Sequence, residues 1–255
     1  MKTFKLVLLG LITFIITAIW LTPTAFIAPY VQRAVPGLQL NGGSGTIWSG
    51  AAARVTYQQY DFGRVKWTLK PLTSLTSLSA VADVDMKSDW LEARGEMGYG
   101  YDRSIHVKDT RFELEAAALS QFQRSAQMGG EFNGLITEAA LSPGAFPFLE
   151  GTVNWTQGSL NSPIRLEPGN YRALVSSTDN ELKADLSSND APLELSGNVK
   201  LGDDWRYQSD VLVKPRPGSS PLLGSLLRTA AGGNPNPDGS LRINHQGAMQ
   251  PIQLY

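Results

Sequence analysis

The sequence predicts a mainly β protein: an N-terminal transmembrane helix, then a large antiparallel curved sheet or partly closed β roll with one or two short helices. Three observations carry this prediction. Residues 6–27 form an apolar stretch without a single charge. The 25 Gly and 15 Pro are spread along the chain, as frequent turns between short strands require. Period-two alternation of apolar and polar residues recurs at spacings of roughly 8–12 residues, the rhythm of a meander, sandwich or barrel-like roll.

The apolar stretch comes first. Lys2 and Lys5 precede it and Arg33 is the next charge. About 20 residues at 1.5 Å rise span the hydrocarbon core of a bilayer, and a backbone in lipid satisfies its own hydrogen bonds as a helix. A cleaved secretory signal is the alternative. It calls for a shorter apolar core and an A-x-A-like site, which Trp20-Leu21-Thr22-Pro23-Thr24-Ala25-Phe26 matches weakly. Length favours the anchor. The positive-inside rule then leaves residues 1–5 in the cytoplasm, and Trp20 and Tyr30 suit the far interface. The expected organisation is an anchor at 6–27, a juxtamembrane connector at 28–41, a periplasmic β domain at 42–250 and a loose tail at 251–255. In either reading the rest of the chain is exported.

Lys2 and Lys5 are two of the chain's 22 basic residues, so the exported part carries 20 against 23 acidic, a formal −3 with His neutral. That balance gives no reason to expect nucleic acid or anionic headgroups as partners. Cysteine is absent. Disulfides, thiolate metal sites and a thiol nucleophile are therefore excluded, and stability must come from core burial.

Gly42-Gly43-Ser44-Gly45-Thr46-Ile47-Trp48-Ser49-Gly50 lacks the lysine of a phosphate-binding loop and runs into a β-rich segment, so it reads as a strand with glycines at its bends. Val65, Trp67 and Leu69 share one strand face, and residues 81–86 alternate likewise. Ile105 and Val107 flank His106, which is expected to point to solvent. Residues 114–127, with Ala116-Ala117-Ala118, predict a helix ended by Gly129-Gly130. Strands are then expected at 133–138, 151–156, 164–166, 171–176, 182–186, 193–196, 199–201 and 205–214. Pro221 opens a short helix with the stripe Leu222, Leu223, Leu226 and Leu227. With only Arg228 as a cation, that helix is expected to pack on the sheet rather than lie on a membrane. A last strand covers 240–245.

Gly45-Thr46-Ile47-Trp48-Ser49-Gly50 resembles Gly151-Thr152-Val153-Asn154-Trp155-Thr156-Gln157-Gly158. The echo suggests two related halves, about 42–130 and 131–250, although two unrelated strand–turn units with tryptophan would look the same.

Chemistry is harder to find. Asp83/Asp85, Glu113/Glu115 and Asp203/Asp204 read as solvated strand faces, a helix start and a hairpin turn. Asn234-Pro235-Asn236-Pro237-Asp238-Gly239 imitates the start of a calcium loop, but His245 stands where the bidentate Glu is needed. His106 and His245 share no metal-ligand spacing, and no Gly-x-Ser-x-Gly elbow exists. Asn154-Trp155-Thr156 is a formal glycosylation sequon and equally a plain strand. No residue is nominated as catalytic, cofactor-binding or metal-ligating, and no enzyme is expected.

The anchor, Ser44-Gly45-Thr46-Ile47-Trp48-Ser49-Gly50, Val65-Lys66-Trp67-Thr68-Leu69-Lys70-Pro71-Leu72, Gly151-Thr152-Val153-Asn154-Trp155 and Lys214-Pro215-Arg216-Pro217 together resemble type II secretion system protein N, also called general secretion pathway protein N. The order and spacing of these motifs carry the resemblance over nearly the whole chain. It implies a bacterial inner-membrane protein, single-pass, with a periplasmic domain. Such a protein is an accessory to the export of folded proteins across the outer membrane, partnered by other secretion-system components, with no catalytic residues to carry over. Trp48, Trp67, Trp155 and Trp205 are expected mainly to pack the core. The alternative is a membrane-tethered periplasmic β groove handling lipid, as in the AsmA-like bridge proteins.

Overall fold

A computed structural model describes residues 14, 17, 20–121, 127–162, 165–217, 221–232 and 234–250. The strand order is the chain order, β1 to β13 in one antiparallel sheet. Two compact units divide at Arg94/Gly95, upstream of the boundary suggested by the internal echo.

In the first unit, β1 (Leu38–Gly45), β2 (Ser49–Tyr57), β3 (Tyr60–Leu69) and β4 (Ser79–Lys87) pair in succession. Most of the expected anchor lies outside the described residues. Among the described residues no helix is long and apolar enough to cross a membrane. Pro23 is extended at φ −68° and ψ 149° and bridges Thr46. Helix α1 (Thr24–Ala34) starts after it, so residues 24–27 belong to a separate helix that also fills much of the expected connector. A proline lacks the N–H that a continuing helix would need and biases its predecessor toward extended backbone. Ala52, Val55 and Val81 are the buried apolar side chains of this unit's sheet.

Helix α2 (Pro71–Ser77) was not expected from the sequence. Proline in its first turn suits a helix start, but a seven-residue helix offers too little periodicity to be read.

Strand β5 (Leu91–Gly100) spans the division between the units. The second unit then continues with β6 (Ile105–Glu115), β7 (Gln127–Leu141), β8 (Phe148–Ser162), β9 (Leu166–Ser177), β10 (Glu181–Asn189), β11 (Leu193–Gly202), β12 (Arg206–Pro215) and β13 (Leu241–Ala248). The expected helix at 114–127 is corrected. Leu114 and Glu115 finish β6 opposite Phe132 and Glu131, a 3-10 helix, Ala116–Gln121, follows, and 122–126 lie outside the described residues. Pairing of half-buried Leu114 with Phe132 in the β ladder and burial of Ala116 and Ala118 outweigh the modest helix propensity of Glu and Ala. The strands expected at 193–196 and 199–201 are one, running through Gly197. The two echo segments also differ in structure. Residues 45–50 bend between β1 and β2, whereas 151–158 lie inside β8.

Register aligns one apolar face across this unit. Phe112 and Leu114, Phe132 and Ile136, Val153 and Trp155, Tyr171 and Val175 share it. Leu182 and Leu186, Leu193 and Leu195, Val211 and Val213, Leu241 and Ile243 continue it. The period-two rule places every second residue of each strand there. Helix α3 (Pro221–Ala231) covers the far end of the face. Its Leu223 is buried with Leu166, Leu193, Val213 and Leu241, and Leu227 packs against that cluster. Gly232, at φ 62°, donates its N–H to Arg228 O at 3.1 Å and ends the helix in the left-handed conformation.

Candidate interaction surfaces

Where α3 stops, the apolar face opens into a recess of about 310 Å³ whose lining includes Phe132, Trp155, Leu166, Tyr171 and Leu193, with Arg172 its one charged residue. Alternating β residues place these side chains, and three rings organise the recess. Trp155 stacks on Phe132 with centroids 5.3 Å apart and leans on Tyr171 at 5.5 Å. Its Nε1 donates to Gly129 O at 3.0 Å, so the indole is satisfied without water. Gly158 makes room for the ring, since a Cβ there would collide with it. The Tyr171 hydroxyl is buried and makes no hydrogen bond of normal geometry. Burial raises its pKa above the ordinary 10.0, an effect the Leu193 backbone only partly offsets.

The other three tryptophans named from the sequence are half-buried as well. Trp67 Nε1 donates to Ile47 O at 3.1 Å, Trp48 stacks on Trp20 at 5.4 Å, and Trp205 meets Phe146 edge-on at 5.8 Å. The β1 edge is guarded by α1. Gln32 Nε2 donates to Leu40 O at 3.3 Å, and the buried Thr24 hydroxyl lies 3.1 Å from Ser44 O and 3.2 Å from Thr46 O. Such cover keeps an edge from pairing with foreign strands.

Two polar clefts, of about 480 and 400 Å³, hold ion pairs rather than a reactive set. Lys200 meets Glu181 at 3.0 Å in the first, and Arg216 reaches Asp190 and Glu194 at 3.3 and 3.4 Å in the second. Exposed pairs of this kind add little stability.

Asp102, Ser104 and His106 do come together, which the sequence reading missed. Ser104 Oγ donates to Asp102 Oδ1 at 2.6 Å, and His106 Nε2 lies 3.0 Å from Ser104 Oγ. The single hydroxyl hydrogen of the serine is engaged by the aspartate, which leaves the serine oxygen to accept from His106. A nucleophilic triad needs the reverse order, with histidine accepting from serine, and Ser104 is also only 3% exposed. His106 is therefore half-buried rather than solvent-pointing, held by a turn clasp. The same device precedes β13, where Asp238 Oδ1 accepts from Ser240 N at 3.1 Å and Ser240 Oγ at 2.7 Å. The Asp-x-Ser spacing was the available signal. These bonds, with the serine hydroxyl foremost, hold both aspartates below the ordinary carboxylate value of 3.8.

The calcium-like stretch thus closes on itself as a turn, with Asn236 Nδ2 donating to Ser240 Oγ at 2.9 Å. Asp83 pairs with Lys70 at 2.7 Å, while Asp203 and Asp204 sit at the β11–β12 hairpin tip, closed by Trp205 N donating to Gly202 O at 2.9 Å. Glu113 and Glu115 stand on β6 opposite Asn133 and Glu131. His245 stacks on Tyr207, whose hydroxyl lies 2.9 Å from its Nδ1. Among the described residues no group of three or more His, Asp or Glu is arranged to hold a metal ion.

Residues 36–244 match the family described as Type II secretion system (T2SS), protein N. A type II secretion system protein N of Vibrio cholerae serotype O1 is 26% identical over 222 residues, covering 84% of this chain and 86% of that protein. A protein of the same name from Aeromonas hydrophila is 22% identical over 218 residues, covering 83% and 85%. No solved structure matches the chain.

Proposed function

The chain belongs to the type II secretion system protein N family, and from that membership we propose that it is an accessory inner-membrane component of the type II secretion pathway. It assists export of folded proteins from the periplasm across the outer membrane by binding other components, without catalysing a reaction. The N-terminus is cytoplasmic, the uncharged run at 6–21 ahead of the Pro23 break supplies the anchor, and the β body stands in the periplasm. The match across residues 36–244 carries this reading. The uncharged run at 6–21 behind Lys2 and Lys5 supports the topology. The turn-locked Asp102, Ser104 and His106 support a binding rather than a catalytic role.

Deleting the gene is expected to block or slow export of the pathway's substrates, with the full chain restoring it. Affinity capture of the full chain from solubilised membranes is expected to recover other components of the machine. Normal export together with no such component recovered would sink the proposal.

A second reading is favoured by the recess around Trp155. Its walls are almost wholly apolar, as an acyl chain requires, so the β body would handle lipid. Mass spectrometry of the purified full chain tests this, and finding no co-purifying lipid counts against it.

A further inference from the structure

We propose that α2 is a second, interfacial membrane contact: the leucine stripe Leu72, Leu75 and Leu78 seats the first unit on the apolar surface of the bilayer beside the anchor. This rests on the anchor reading above.

Three-residue spacing puts these leucines on one side of the helix and its left-handed final residue. They are 81%, 75% and 68% exposed, and no residue of α2 is buried. A contiguous apolar stripe left in water by an otherwise alternating β protein marks a contact surface. Three further observations identify lipid as its occupant.

The first is polarity. Residues 71–80 carry no charge, and Lys70 at their base is tied to Asp83 at 2.7 Å. Four of the segment's five hydroxyls are turned back on its own backbone. Ser74 Oγ donates to Lys70 O at 2.8 Å, Thr76 Oγ1 to Thr73 O at 3.0 Å, Ser77 Oγ to Thr73 O at 2.8 Å and Ser79 Oγ to Ser77 O at 3.1 Å. A segment whose hydroxyls are mostly satisfied internally leaves water at reduced cost. A protein partner would more naturally be met by outward-facing polar groups around the leucines.

The second is position. Trp20, three residues before the Pro23 break in the uncharged stretch, stacks on Trp48 at 5.4 Å. Trp48 O accepts a hydrogen bond from Leu69 N at 2.7 Å, and Pro71 opens α2 two residues later. The root of α2 is thereby fixed next to the point where the chain leaves the anchor.

The third is the company it keeps. Trp20, Leu21, Phe26 and Tyr30 are 57–69% exposed in the same unit, an assortment typical of the headgroup boundary. Because α2 has no Lys or Arg of its own, the contact needs no anionic lipid.

The chain has no cysteine, so single-cysteine variants of the full chain can each carry one environment-sensitive dye. Leu75→Cys reports on the stripe and Leu9→Cys on the anchor. Gln59→Cys lies at the opposite end of β3, about 30 Å away by strand rise. Each variant is reconstituted into neutral phosphatidylcholine vesicles containing spin-labelled quencher lipids.

The expected result is blue-shifted, lipid-quenched emission at positions 9 and 75 and water-like, unquenched emission at 59. Adding Leu72→Ser and Leu78→Ser should abolish the quenching at 75 and leave that at 9. Quenching at 9 without quenching at 75 overturns the inference and spares the anchor. Quenching at 75 without quenching at 9 supports the contact and removes the anchor. A blue shift at 75 without lipid quenching assigns the stripe to a protein partner or a second copy and also overturns the inference.

Discussion

Replacing Leu223 by alanine tests the claim that α3 clamps the apolar face of the second unit. Leu223 is 6% exposed and meets the buried Leu166, Leu193, Val213 and Leu241, so truncation empties the centre of that cluster. Buried Leu→Ala changes cost about 2–5 kcal/mol, the lost transfer energy plus a cavity term. The cluster adjoins the open recess, since Leu166 and Leu193 line both. The site can therefore relax or admit water, which places the cost near the low end, about 2–3 kcal/mol. With a urea m-value of about 2 kcal/mol/M, the midpoint should fall by about 1–1.5 M. Leu222, on the same helix but 57% exposed, is the matched control, and its alanine variant should stay within about 0.5 kcal/mol of the parent. Urea titration of the full chain in mild detergent measures both, and amide exchange by mass spectrometry assigns the loss to β12 and β13. Equal midpoints for the two variants, or no loss of protection in β12 and β13 for Leu223→Ala, would refute the packing assigned to α3.

Thr24→Val keeps shape but removes the hydroxyl shared by the Ser44 and Thr46 carbonyls. It should lower stability by about 1–2 kcal/mol and expose the link between α1 and β1 to limited proteolysis. Unchanged cleavage would show that α1 is held there by other contacts. Acid should destabilise the fold. Asp61, Asp102, Asp210 and Asp238 all titrate below 3.8 when folded, so on acidification the unfolded chain takes up protons first. Their contribution is present above the unfolded pKa and is lost as pH falls through the depressed folded values. The urea midpoint should thus be insensitive to these groups at neutral pH and decline below about 4. Asp102→Asn and Asp238→Asn should flatten that decline, and a midpoint rising on acidification would contradict it.

How much was legible in the sequence depended on the range of the interaction concerned. Alternation named the apolar strand faces correctly, as at Val65, Trp67 and Leu69. The alternating pattern also suffices to put Trp155 and Tyr171 on one face, because strand geometry is set by local backbone pleating. The helix begun by Pro221 and its packing on the sheet were equally readable, the stripe being long enough to show a period. At Leu114 and Glu115, by contrast, local propensity pointed to a helix and lost to pairing with Phe132 and Glu131 on the next strand, with a 3-10 helix following at Ala116–Gln121. The recess likewise requires five strands in register, and the Asp102–Ser104–His106 clasp requires a particular turn.

What the sequence determined by itself is therefore the β class, the alternation of its faces, the lack of any thiol chemistry and an uncharged N-terminal run long enough for a bilayer. Tertiary structure alone decided that the strands follow one another in chain order, that Gly158 leaves space for the Trp155 ring, and that the chain leaves three leucines of α2 uncovered. Those outcomes depend on which distant atoms share a volume, and a one-dimensional pattern specifies only what each residue would prefer.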